Sequence, residues 1–125
     1  MLGDADLKTS AHDLQRAAGR LQTHASDGAV PDLEITLAHV EEALDRVAVA
    51  MLKMADATSD WCAGEGRASG DGVLPPEARA LRFHLQMAAA GLRVPQDGCS
   101  SSRLWTRRLL DECAAVAPGT GSRAT

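Results

Sequence analysis

Tyrosine is missing from this chain, and Trp61, Phe83 and Trp105 are its only aromatic residues. Sheets are filled by aromatic and β-branched side chains, and the latter are scarce too, with seven Val and one Ile. An all-β fold is excluded. No apolar run approaches the roughly 18 residues that cross a bilayer. The N-terminus, with Asp4 and Asp6, lacks a basic region followed by an apolar stretch. A soluble, cytoplasmic protein is the expectation. Cysteine occurs only at Cys62, Cys99 and Cys113, an odd number with no CxxC pair, so neither a disulfide framework nor a metal finger is written here. Asparagine is absent and Arg outnumbers Lys eleven to two, which is the codon bias of a GC-rich bacterial genome.

What is present is alanine and leucine, 23 and 15 of the 125 residues. Both are strong helix formers, and this length suits one core rather than two. The expected fold is all-α, a four-helix antiparallel bundle in one domain over residues 1–117, followed by a frayed tail at 118–125.

Periodicity places the helices. Residues 6–25 carry Leu7, Ala11, Leu14, Ala18, Leu21 and Ala25 at alternating spacings of four and three. Residues 31–62 carry the strongest signal: Leu33, Leu37, Val40, Leu44, Val47, Met51, Met54, Thr58 and Trp61 keep that alternation unbroken. A 3.5-residue repeat sustained this far marks a bundle helix with one seam turned to its neighbours. The Gly-rich stretch 63–74 reads as a flexible loop. A third helix is expected at 76–92, burying Ala78, Leu81, Leu85, Ala88 and Leu92, and a turn at Pro95–Gly98 leads to a fourth at 102–116 capped by Ser100 to Ser102. A first helix of about 20 residues covers only two thirds of the second, leaving the Met54–Trp61 end in need of another surface.

Charge is divided along the chain. Residues 1–66 hold twelve Asp or Glu against five Lys or Arg, and residues 67–125 hold five against eight, so the halves attract each other.

No catalytic constellation emerges. His39 and Glu42 form a reversed HxxE on one helix face, but the two ExxH motifs of a di-iron bundle are absent, and His84 reads as a core histidine between Leu81 and Ala88. Cys113 reads as a small buried hydrophobe, and Cys99, just before a helix cap, as the more reactive thiol. The Gly-rich loop contains no GxxxxGK[ST]. No cofactor and no metal are expected. The leading reading is protein–protein association, as a homodimer or with another protein, through Met51, Leu52, Met54 and Trp61, because Met adapts to interfaces and Trp is enriched at their centres.

The alternative lies in the basic half. From the third helix through a turn to SSRLWTRRL, the order of elements resembles a helix-turn-helix unit over about 35 residues. That resemblance implies a DNA-binding regulator with Ser102, Arg103, Thr106 and Arg107 in a major groove. The link between the two helices is longer than the motif normally uses, and the chain as a whole is acidic.

Overall fold

A computed structural model describes residues 2–66, 70 and 72–124, with side chains described for 6–66, 70 and 72–115. The protein is all-α. Helix α1 spans Leu2–His24, a 3-10 turn Ala25–Asp27 follows, and then come α2 at Val30–Gly64, α3 at Pro76–Gly91 and α4 at Arg93–Ala124. No helix among the described residues is long and apolar enough to cross a membrane. The loop expected at 63–74 falls partly on residues 67–69 and 71, outside the described residues, and the tail expected at 118–125 lies where side chains are not described, the helix being drawn to Ala124.

Helix α2 is one unbroken rod of 35 residues, about 52 Å at 1.5 Å per residue. Pro31 stands in its first turn, where a missing N–H costs nothing, and Asp32 lies at the positive end of the helix dipole. Both α3 and α4 pack against α2 and touch each other only near their junction, whereas among the described residues α1 contacts only the 3-10 turn. The result is a long antiparallel hairpin: Ala78, Arg82, Ser100 and Arg107 come level, in turn, with positions running back down α2 from Thr58 to Glu34.

The break between α3 and α4 sits earlier than the turn expected at Pro95–Gly98. Pro95 has no N–H to give the Gly91 carbonyl, and its ring crowds that carbonyl, so the helix interrupts at Gly91–Leu92. Pro95 itself is then tolerated in the first turn of α4. The Leu92 N–H still bonds back to Ala88 at 3.3 Å and Gln96 N–H to Leu92 at 3.1 Å, so the chain barely deviates from a helical path. Ser100 to Ser102 therefore lie inside α4 rather than capping it.

A single heptad stripe runs through this junction. Ala78, Arg82, Leu85, Ala89, Leu92, Gln96, Cys99, Arg103, Thr106 and Leu110 alternate by four and three, and among residues 76–115 they alone are not exposed. They meet an α2 stripe of Leu37, Glu41, Leu44, Ala48, Met51, Ala55, Thr58 and Cys62, all buried or half-buried. Small residues form the closest approach: Ala55, Cys62, Ala78 and Ala89 are the buried apolar side chains of the hairpin, and Ala55 is only 1% exposed.

Four expected burials change accordingly. On α3, Leu81 and Ala88 are exposed, their places taken by Arg82 and Ala89, one position along the helix. Arg82 fits because its Nε donates to the Ala55 carbonyl oxygen at 3.3 Å. His84, also expected inside, is exposed and stands edge-on to Phe83 with ring centroids 5.5 Å apart. Cys113 is exposed although it continues that stripe three residues after Leu110: with Arg107 level with Glu34, it lies past the start of α2 at Val30, where nothing among the described residues remains to cover it. Cys99, expected just before a helix cap, lies half-buried within α4, seven residues into the helix.

Candidate association surface

The two flanks of the hairpin differ in chemistry because α2 presents different residues to each. Relative to the line through Leu44 and Cys62 that faces α3 and α4, Glu34, Glu41, Asp45 and Leu52 lie about 60–100° to one side, and Val40, Val47, Met54 and Trp61 about 40–100° to the other.

The first flank is electrostatic. Ser100 donates its hydroxyl to Glu41 Oε2 at 2.8 Å, Arg103 Nη1 donates to Glu41 Oε1 at 3.0 Å, and Arg107 binds Glu34 through Nε and Nη2. These bonds join the acidic half of the chain to the basic half and hold α4 in register on α2. The Ser100 hydroxyl, and then the Arg103 guanidinium, hold the Glu41 carboxyl below the usual glutamate range. Glu34 correspondingly raises the already high pKa of Arg107.

A depressed carboxylate contributes stability above its ordinary titration range and loses it as pH falls through the lowered value. The difference in thermal midpoint between the parent chain and Glu41→Gln is therefore expected to be constant above pH 4.5. It should shrink toward zero as the pH drops further. A melting series by circular dichroism checks this, and a difference independent of pH would show that Glu41 acts by packing alone.

The second flank is apolar. Leu33, Thr36, Val40, Ala43, Val47, Ala50, Met54, Ala57 and Trp61 again alternate by three and four, a second heptad stripe beside the one that α3 and α4 cover. Trp61 is 57% exposed, and it borders an apolar groove of about 620 Å³ shared with Thr58, Pro75, Ala78 and Leu81. The seam expected from the sequence is thus divided. Leu37, Leu44, Met51 and Thr58 face α3 and α4, whereas Leu33, Val40, Val47 and Met54, all half-buried, and the exposed Trp61 line the edge of the second flank, which no helix covers among the described residues. A straight helix drifts about 20° per heptad against a 3.5-residue repeat, so a row that starts near the contact line at Leu33 leaves it by Trp61.

The four residues expected to form an association surface do not share one face. Met54 and Trp61 lie on the apolar flank, Met51 is half-buried against α3, and Leu52, 44% exposed, projects about 160° from Met54 on the acidic flank. The residues of the DNA-binding alternative are occupied differently. Arg103 and Arg107 are engaged by Glu41 and Glu34, Thr106 is buried with its hydroxyl on the Ser102 carbonyl at 2.7 Å, and Ser102 is exposed. Arg108 lies over the Trp105 ring at 5.0 Å. His39 is exposed, and Glu42 pairs with Arg46 at 2.8 Å. Among the described residues no group of three or more His, Cys, Asp or Glu is arranged to hold a metal ion.

The open apolar stripe was not legible beforehand as a separate feature, because its large residues alternate with Thr36, Ala43, Ala50 and Ala57 and merge with the inner seam when only large side chains are followed. Counting alanine as an interface residue would have found it. No family model, curated protein or solved structure matches the chain.

Proposed function

We propose that the protein works by association with a second copy of itself, its apolar α2 flank being the contact surface and the missing layer of an antiparallel four-helix bundle being supplied on assembly. One observation carries this reading. The chain exposes 9432 Å², where a compact monomer of 13.1 kDa would expose about 6,400 Å². That is an excess of about 3,000 Å² per chain and about 6,000 Å² for two, more than the roughly 2,000–5,000 Å² that permanent dimers bury in total, so an interface of that class would cover most of it. The half-exposed large residues Leu7, Leu14, Leu21, Leu81, Phe83 and Met87 belong to that excess.

Light scattering on a sizing column at micromolar concentration tests the reading. A mass near twice 13.1 kDa is expected, unchanged when duplex DNA is added at low salt. A monomer mass at every concentration would remove the proposal.

A further inference from the structure

We infer that α1 is the exchanged element of this dimer: the apolar stripe of α1 from one chain lies antiparallel on the open α2 stripe of the other. The inference rests on the association reading and names its contacts.

Helix α1 needs a surface. Among the described residues it touches only the 3-10 turn that follows it, and every side chain from Asp6 to His24 is exposed. Gly19 in its interior weakens it further as a lone helix, and most helical stability in proteins comes from packing an apolar face. Its Leu7, Leu14 and Leu21 are each about half exposed and stand on one stripe with alanine in the intervening layers.

The surface it needs has the same pattern. The open α2 stripe also repeats every seven residues, with a large side chain in one layer and a small one in the next. Laid antiparallel, Leu7, Leu14 and Leu21 come level with Met54, Val47 and Val40, and the small layers coincide as well, which lets the backbones approach and the large side chains interdigitate. The α1 stripe from Leu7 to Leu21 and the α2 stripe from Val40 to Met54 are equal in length, about 21 Å.

The connection between the helices favours a second copy over closure within one chain. Gly28 and Ala29 are both extended, with ψ of 142° and 150°, and α2 begins at Val30 with Pro31 in its first turn. This short straight link leads α1 away from its own α2. A hinge opened in this way, with the detached element complementary to a surface on its own chain, is the geometry in which identical chains trade that element.

Cysteine pairing tests the exchange on the full chain. In a background of Cys62→Ala, Cys99→Ser and Cys113→Ser, one chain carries Ala18→Cys and a second, tagged chain carries Ala43→Cys, the two positions that the register brings level. After mixing and mild oxidation, a disulfide between the two different chains is expected, and a chain carrying both cysteines should double in mass on a non-reducing gel. An internal bond at monomer mass, with none between chains, would overturn the exchange in favour of closure. No bond in either case, with a dimer still seen by light scattering, would also overturn it while leaving the association reading intact. A monomeric parent chain would remove both.

Discussion

Replacing Ala55 with Leu is expected to destabilise the hairpin by about 1–3 kcal/mol, the usual result of forcing extra methylene groups into a packed site. Ala55 is the least exposed of the buried side chains among the described residues, and its own carbonyl accepts the Arg82 guanidinium across the interface. A larger side chain there must push α3 away and lengthen that bond. The neighbouring small residues Cys62, Ala78 and Ala89 set the same close spacing, so the strain is not relieved by moving one helix end. For a chain of this size the loss corresponds to about 4–12 °C in thermal midpoint. Comparison is made at one protein concentration, because association would add to stability by mass action. Ala80→Leu, on the exposed side of α3, is the control and should stay within about 0.5 kcal/mol of the parent. Equal midpoints for the two variants would mean that α2 and α3 do not pack through their alanines.

The same alanines explain which parts of the fold were legible in the sequence. The class, the unbroken α2 rod and the antiparallel return of the chain follow from helix propensity and from the long alternation between Leu33 and Trp61. The partner stripe on α3 and α4 was hidden because Arg82, Gln96, Arg103 and Thr106 occupy contact positions that a search for apolar residues passes over. Each is tolerated for a local reason that needs coordinates: Arg82 finds a carbonyl, Arg103 finds Glu41, and the Thr106 hydroxyl bonds back to Ser102. Pro95 misled in a similar way, since proline reads as a helix stop but serves here in a first turn. The charge asymmetry between the halves was readable, and it takes the form of Glu34 with Arg107 and Glu41 with Arg103. The expected surface joins residues of different directions: Met54 and Trp61 share one flank, whereas Leu52, apolar but off the main seam, stands on the other, because two residues along a helix is almost half a revolution.

That difference in direction yields the sharpest test of the association surface, a pair of variants with the same chemistry on opposite flanks of α2. Val47→Glu places a carboxylate in the middle of the open apolar stripe, level with Leu14 of the exchanged helix. Leu52→Glu places one on the flank that already carries Glu41 and Asp45, pointing away from that contact. Seating an ionised carboxylate against apolar side chains without a partner costs several kcal/mol, and every 1.4 kcal/mol is tenfold in affinity. Val47→Glu is therefore expected to weaken the dimer by about a hundredfold or more, giving a monomer at concentrations where the parent chain is dimeric. Leu52→Glu should leave the dimer within about threefold of the parent, since an exposed site loses little. Because Val47 is only half-buried and Leu52 exposed in the single chain, both variants should keep the helical circular dichroism of the α2–α4 hairpin. Dilution series by light scattering separate the two. If Leu52→Glu dissociates the protein and Val47→Glu does not, the contact lies on the acidic flank and the apolar stripe has another role. If Val47→Glu loses its helical signal as well as its mass, the position supports the hairpin itself, and Met54→Glu, farther along the same stripe, then reports on association.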